Sequence, residues 1–561
     1  MKKIYLYPLI TLFITLSACN DDFLERYPLD ALSDQGFWKK EADLATYANR
    51  FYPSLPGAFA RDLDNQSDNK VPQSPNSFLF DEYIVPTSGG GWSSNDWAQI
   101  RACNYFLQRY HTVTGNQNLI DAYVGEVRFF RAWEYFNKIK RFGDVPWLST
   151  DLNASDTEVL YKARDPRNVV VDSVLADLDY AIEHLYPKGE ALPDRLHADA
   201  ARAFKARVCL FEASFRKYHG LTGYETLFEE AKNTAFDLIN SGRYGLYSTG
   251  NPDKDYYNLF IQEDYADNSE AIFYRSYIKD IQTHNNTRQM TESATGFSKD
   301  MVESYLCKDG LPIAESGLYL GDDSLTMELT DRDPRLLQTI DNKTLPFQLD
   351  ASGNPTYNDL PVIDPNRCTT GYFVMKFHSP DEAQWNANQS TLDWLIFRYA
   401  EVLLIYAEAS AELGQATQVV LDESVNLLRE RVGVAPLSVS VGFTDPNWPD
   451  YGYAVSPLLH EIRRERRVEL AAEGFRWDDL VRWKAGKLTE NLKTLYGMKI
   501  HPDLEGQYGS RLDNITLTAD RLIQVYPGRD QRVWNDRLYL YPLPSEELVL
   551  NTNLTQNPGW E

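Results

Sequence analysis

Apolar residues recur every three or four positions through most of the first 245 residues, the period of a helix with one buried face. The pattern predicts helices over Phe37–Tyr52, Asn95–His111, Asn118–Phe142, Asn168–Leu185, Leu196–Tyr218 and Tyr224–Ser241. In the third of these, Val127, Phe130, Trp133, Phe136 and Ile139 form the stripe, and Gly143 with Pro146 marks its end. Ser94 or Asn95 is the expected cap of the second. From about 247 to 390 the helical period fades into Gly, Pro, Asp and Asn, with short strand-like pieces at Ala271–Tyr274 and Tyr372–Phe377. Helices return over Leu392–Leu413, Val420–Val432 and Ser456–Glu473. Residues 486–537 are mostly irregular, and Leu538–Leu543 reads as a last strand.

The pairs 196–218 with 224–241 and 392–413 with 420–432 are helical hairpins with short turns. Such pairs are similar to tetratricopeptide units, although no clean period of about 34 residues is present. The predicted fold is therefore mostly α. A tetratricopeptide-like scaffold (about 37–245 and 390–485) carries loop-rich insertions at about 53–95, 247–390 and 433–455, and a few short strands. No Gly/Ser or Pro-rich linker divides residues 37–561, so they read as one body.

The stretch Glu461–Lys484 organises the scaffold. Glu461, Glu465, Glu469 and Glu473 lie four apart and form one column on a helix, where like charges repel by a few tenths of a kcal/mol per pair. Arg464 and Arg466 answer only part of that column, so the other carboxylates, with Arg463 and Arg467, are expected to meet opposite charges on neighbouring helices. Phe475, Trp477, Leu480, Val481 and Trp483 follow, too much apolar surface to leave in water. A charge network between packed helices is the expectation here, against an acid/base site built from the glutamates.

Composition narrows the function. A net charge of −25 argues against a nucleic-acid partner and a polybasic membrane patch. Beyond Cys19, the cysteines are Cys103, Cys209, Cys307 and Cys368, none at a metal-binding spacing. The first two are expected as buried thiols, and a Cys307–Cys368 bridge stays open. There is no Walker A loop, no strand-linked GxGxxG, no HExxH and no GxSxG. The eight histidines are scattered singly. Acidic pairs such as Asp322-Asp323 and Asp478-Asp479 do not report the spacing across a cleft that glycoside hydrolysis needs. No metal or cofactor is expected.

At the start, Lys2 and Lys3 precede the apolar run Ile4–Leu16 and then Ser17-Ala18-Cys19. A basic segment, a short apolar core and small residues at the cut make a secretory signal peptide over residues 1–18, too short to span a bilayer. Cys19 resembles the lipidated cysteine of a bacterial lipobox. Asn20-Asp21-Asp22 resembles the surface-export signal of Bacteroidetes lipoproteins. Residues 19–36 would then be a lipidated tether.

Further motifs keep one order along the chain. They are Trp97–Leu107, Gly125–Ala132 running on to Arg141-Phe-Gly-Asp-Val-Pro146, Ala198–Leu210, Arg332-Asp-Pro-Arg335-Leu and Phe397–Leu404 with Ala407-Glu-Ala409. The strut follows as ERR…EL…EG.R..DL.RW, and Tyr541-Pro-Leu-Pro544 with Asn553–Trp560 ends the chain. In these motifs the chain resembles the SusD/RagB family of outer-membrane nutrient-binding lipoproteins. The resemblance implies a SusD-like α-superhelix that binds oligosaccharide or polysaccharide and delivers it to a SusC-like TonB-dependent transporter without cleaving it. It implies an outer-membrane location, lipid-anchored and facing outward. The alternatives are a secreted glycoside hydrolase and a binder of a non-glycan nutrient such as peptide.

Sugars present apolar C–H faces and a rim of hydroxyls, so a glycan site wants exposed rings and planar polar groups. The best stretch is Gly89-Gly-Gly-Trp92-Ser-Ser-Asn95-Asp96-Trp97, where glycines let backbone approach a ligand and Trp92 stands in a loop. The resemblance supports Trp92 and Asn95, because the loop before this helix contributes to the glycan site in that family. Asp96 and Trp97 complete the stretch. Tyr83, Tyr277, Phe297, Tyr319 and Trp385 are further loop aromatics, with Asp81, Arg275 and Asn388 as polar partners. Trp133, Trp477 and Trp483 are assigned to core.

Overall fold

The structure is a computed structural model that describes residues 34–561 apart from 193 and 530. The signal segment, Cys19 and the tether up to residue 33 lie outside the described residues. The fold is mostly helical, with short strands paired two by two. Its longer helices are α1 (Glu41–Ala48), α2 (Ala98–Arg109), α3 (Gln117–Phe142), α4 (Arg167–His184), α5 (Ala198–Tyr218) and α6 (Tyr224–Asn240). They continue with α7 (Tyr399–Glu412), α8 (Val425–Val432), α9 (Pro457–Glu469) and α10 (Arg476–Arg482).

The helices stack in tetratricopeptide-like order. α3 lies against α1, α2 and α4, α4 against α5, α5 against α6, and α6 against α7, which also receives α9. The predicted stripe of α3 is buried throughout, with Trp133 on Phe204 at 4.9 Å between ring centroids. Buried ion pairs set the register between neighbours. Arg131 donates twice to Asp177 (2.7 Å each) between α3 and α4, and Arg167 donates to Glu212 (2.7 Å) between α4 and α5. Arg207 donates twice to Glu401 (2.6 and 2.7 Å) between α5 and α7. Two parallel N–H···O bonds fix orientation as well as distance.

The strut is α9; within it Arg464 meets Glu461 (3.2 Å), and cations from elsewhere answer Glu465, Glu469 and, past its end, Glu473. Glu465 accepts from Arg335 (2.6 Å) and Arg429 (2.9 Å). Glu469 accepts from Arg335 (2.9 Å), Arg398 (2.8 Å) and Arg431 (2.8 Å), and Glu473 from Arg398 (2.6 Å) and Lys376 (2.7 Å). Arg463 meets Glu412 (3.1 Å), Arg466 meets Asp479 (3.0 Å), and Arg467 meets Asp300 (2.8 Å). Some partners sit on helices as expected, but Arg398 ends a strand, Arg335 lies in a single turn, and Asp68 and Asp445, which meet Arg467 (3.3 Å) and Arg464 (2.5 Å), lie in loops. Glu469 is fully buried, yet its three guanidiniums hold its carboxyl well below the usual range. Burial likewise opposes the Glu473 charge, but Arg398 and Lys376 lower that carboxyl, so Glu469 and Glu473 are ionised partners within a network.

The predicted helix Phe37–Tyr52 is broken before α1 and ends in a 3-10 turn over Asn49–Ser54, Val420–Val432 is split into Gln418–Asp422 and α8, and four further predicted elements differ. The helix expected to run to Glu473 stops at Glu469, because the carbonyls of Glu469 and Ala471 accept from Arg398, Lys376 and Tyr256 side chains. Residues 392–398 do not begin a helix. Trp394–Arg398 is strand β2, antiparallel to β1 (Ala271–Arg275), as its aromatic and branched side chains favour. Tyr372–Phe377 holds only a single bridge, Val374 to Ile340, and Phe377 turns into the left-handed region (φ 68°). Leu538–Leu543 is not a strand either. A 3-10 turn over Asp536–Tyr539 takes its place, capped by the Asn535 side chain. All four cysteines of the described residues are buried free thiols, so Cys307 and Cys368 are not bridged.

Candidate functional site

The Gly89–Trp97 stretch folds as a turn that leads into α2. Ser93 caps it, not Ser94 or Asn95. Asp96 Oδ2 accepts from the Ser93 amide (2.8 Å) and hydroxyl (2.5 Å), and the 3-10 turn Ser94–Trp97 follows. Burial pushes the Asp96 carboxyl up, but these bonds from Ser93 outweigh it and hold the group below its ordinary value. The predicted ligand Asp96 is thus occupied in a capping box.

Gly90 and Gly91 approach the protein itself, while Gly89 faces open space. Lys138 Nζ donates to the Gly91 carbonyl (2.7 Å) and Arg141 Nε to that of Gly90 (3.1 Å). Gly91 has φ 91°, and a Cβ there would sit 2.9 Å from Arg141 Nε. The expectation of an exposed Trp92 ring is corrected for the same reason. Once the loop is pinned to α3, the ring folds under it, 6% exposed, edge-on to Phe142 (4.9 Å) and Trp97 (5.3 Å).

Trp97 is half-buried, with Lys138 Nζ 4.9 Å from its ring. Burial lowers that lysine to about 8. Trp92, Ser94 and Trp97 line one wall of a cleft of about 480 Å³. Arg101 and Asn104 of α2 continue that wall, and Tyr161, Asn551 and Leu550 face it from two distant parts of the chain. Tyr161 is 47% exposed and Leu550 67%. Asn553 and Asn551 tie this far wall together by donating to the Tyr161 and Lys162 carbonyls (2.6 and 3.1 Å). Glu547 lines the cleft as well, its carboxyl raised by burial and by Glu546. The cleft therefore offers rings, aliphatic surface and a few planar polar groups. Asn95 is exposed in the adjoining turn but is not part of the lining.

The other predicted residues divide between two places and the core. Asp81 has left-handed backbone (φ 56°) and pairs with Arg537 (2.7 Å). Tyr83 packs on Phe78 (5.2 Å), Tyr541 (5.9 Å) and Trp560 (6.0 Å). Both join the 76–97 segment to the chain end. Arg275, Tyr277, Trp385 and Asn388 form a second group. Arg275 donates to the Leu55 carbonyl (3.2 Å), and the Tyr277 hydroxyl accepts from Ala58 N (3.0 Å). Tyr277 packs on His284 (4.5 Å), while the neighbouring Thr283 donates to the exposed Asn388 (2.7 Å). Tyr277 is buried, and Trp385 is half-buried, its indole donating to Ser379 (2.6 Å). Phe297 is fully buried in core beside Lys70, and Tyr319 packs against Arg332. The exposure expected of Phe297 and Tyr277 as loop aromatics is corrected. Both rings serve the packing of the insertion, because a loop-rich body of that size needs its own apolar cluster.

Sequence reasoning missed Arg101, Asn104, Tyr161 and Asn551. Arg101 and Asn104 lie one and two helical turns beyond Trp97, a spacing that places them on its face, whereas nothing local marks Tyr161 and Asn551, which come from distant parts of the chain. Among the described residues, no group of three or more His, Cys, Asp or Glu side chains is placed to hold a metal ion, and no helix is long and apolar enough to cross a membrane.

The chain is similar to a SusD-like protein from Formosa agariphila, 27% identical over 596 residues that cover 100% of both chains. A crystal structure of a SusD-like protein from Bacteroides fragilis matches with a TM-score of 0.73 at 26% identity, covering 95% of this chain and 100% of that one. A SusD-like carbohydrate-binding protein, also from Bacteroides fragilis, matches with a TM-score of 0.69 over 92% of this chain and 100% of that one. At 22% identity this is a likeness of fold. The SusD family model matches residues 248–560, more than half of the 561, and with these likenesses in sequence and fold the chain belongs to the SusD family.

Proposed function

We propose that this protein is a lipid-anchored, outward-facing outer-membrane protein that binds an oligosaccharide or polysaccharide. It passes the glycan to a SusC-like TonB-dependent transporter without cleaving it. The observation that carries the reading is the cleft beside Trp97, where half-exposed rings face amide and guanidinium groups. A pyranose ring can lay its C–H face on Trp97 or Tyr161 while its hydroxyls meet Asn551 or Arg101. Family membership supports the binding role, as does the carbohydrate-binding relative of the same fold. The signal segment ending in Cys19 supports the anchor. The helical stack and the buried strut network serve as the rigid frame that holds the loops.

The test is Trp97→Ala, with affinity electrophoresis against plant, host and microbial polysaccharides. The wild type is expected to be retarded by one class. The variant should lose at least about tenfold in affinity, about 1.4 kcal/mol, while its unfolding midpoint shows that it folds. Unchanged retardation of the variant would remove the site. Release of reducing ends from the bound glycan would favour the hydrolase alternative, and binding of peptide in place of glycan would favour the other nutrient.

A further inference from the structure

We propose that the protein has a second saccharide-binding cleft, on the strut, that takes a neutral glycan chain; the inference rests on the glycan reading above. The cleft measures about 980 Å³, twice the volume of the one beside Trp97, and shares no lining residue with it. It opens between the 445–453 loop, α9 and the 484–493 segment.

Its aromatic wall is built. The Trp448 ring lies parallel to His460, with centroids 4.9 Å apart and planes 9° apart, and its indole N–H donates to Glu461 Oε1 (2.7 Å). A ring held at both its face and its N–H keeps one orientation, so little entropy is lost when a ligand lies against it. Tyr451 and Tyr453 continue the wall, 5.7 Å apart. Trp448 and Tyr453 remain half-buried rather than buried.

Its polar floor is incomplete. Arg463 is 1% exposed and lines the cleft, yet its Nε has no hydrogen-bond partner within the protein. The same holds for Arg464 Nε and for His460 Nδ1. These nitrogens are closed off from the cleft, and the Arg463 guanidinium lies under the Tyr451 and Trp483 rings (4.6 Å each), so the polar group open to a ligand is the exposed Asn447 amide. Burial, then Arg463 and Arg464, holds the His460 imidazole down to about 4, so at neutral pH it is an uncharged donor and acceptor.

The charges point to a neutral ligand. Arg464 is answered by Asp445, Arg467 by Asp300 at 2.8 Å, and Lys493 by Glu303. Exposed Lys487 and exposed Asp450 both stand on the rim. Rings, an exposed amide and balanced charge together match a pyranose chain better than a phosphate, a uronate or a basic peptide.

The experiment uses the full-length protein in detergent, with laminarin, xyloglucan and amylopectin as neutral probes and polygalacturonate as the charged control. Wild type, Trp97→Ala, Trp448→Ala and the double variant are compared by affinity electrophoresis. Amide hydrogen exchange of the wild type is followed with and without the retarding glycan. The expected result is residual retardation in Trp97→Ala that disappears only in the double variant, with at least twofold slower exchange over 445–453. If Trp97→Ala removes all retardation and 445–453 exchanges unchanged, the second cleft is overturned and the glycan reading stands. If Trp448→Ala alone removes retardation with protection at 445–453, the second cleft stands and the Trp97 site falls. Retardation by polygalacturonate but by no neutral probe overturns this inference and leaves the glycan reading. No retardation by any probe overturns both.

Discussion

Glu408 on α7 gives the sharpest test of the argument that buried ion pairs hold the scaffold together. Its carboxylate is fully buried and accepts from Arg482 Nη1 (2.6 Å) and Nη2 (2.7 Å) and from the Trp483 indole (2.7 Å). It thereby ties α7 to α10. Burial pushes this carboxyl up, but Arg482, helped by Arg466 and Arg463, outweighs burial and brings it from 4.5 down to about 2. Each pKa unit is worth about 1.4 kcal/mol, so the ionised group contributes about 3 kcal/mol at pH 7. Removing one partner of a buried pair costs about 3–5 kcal/mol. After Glu408→Gln, Arg482 keeps Asp479 at 2.9 Å, which places the variant at the low end, about 3 kcal/mol. Because the folded value lies below the unfolded one, this stability is fully present above about pH 4.5 and is lost as pH falls toward 2. By pH 3.5 the difference between wild type and Glu408→Gln should shrink to about 2 kcal/mol. Urea unfolding followed by tryptophan fluorescence at pH 7, 5 and 3.5 measures it. A difference below about 1 kcal/mol at pH 7, or one that stays constant across the three pH values, would refute the assignment.

Trp92→Ala removes a ring buried against Phe142 and Trp97 and should cost about 3–5 kcal/mol of stability, read as a lower urea midpoint; a loss under about 1 kcal/mol contradicts the packing described. Exposed Asn95→Ala is the control and should move the midpoint by less than about 0.5 kcal/mol. Cys19→Ser should shift the protein from the membrane fraction to the soluble one on fractionation, and continued sedimentation with membranes would overturn the lipid anchor.

Some of the site was legible in the sequence and some was not. Its glycines and tryptophans mark the loop before α2, and Trp92 and Trp97 line a common cleft. The direction in which each ring faces was not legible. Trp92 turns inward because Lys138 and Arg141, some fifty residues later, donate to the carbonyls of Gly91 and Gly90. Asp96 looked like a free polar group, but the sequence Ser93-Ser-Asn-Asp96 also spells a capping box, and that local signal was there to be used. Tyr161 and Asn551 carried no signal at all.

The sequence by itself determined the helices and their partners in type. The 3.6-residue stripe of α3 required burial, Gly143 required a stop, and four glutamates in one column required cations from elsewhere. These follow from local geometry, in which near neighbours along the chain set the outcome. Only the tertiary structure decided which cations arrived and where the strut ended. Arg335, Arg398 and Arg431 come from far along the chain to Glu469, and Lys376 and Arg398 take the carbonyls that would have continued the helix. The strand over Trp394–Arg398 was decided there as well, because a run of apolar residues suits helix or strand until a partner strand, here Ala271–Arg275, supplies the hydrogen bonds.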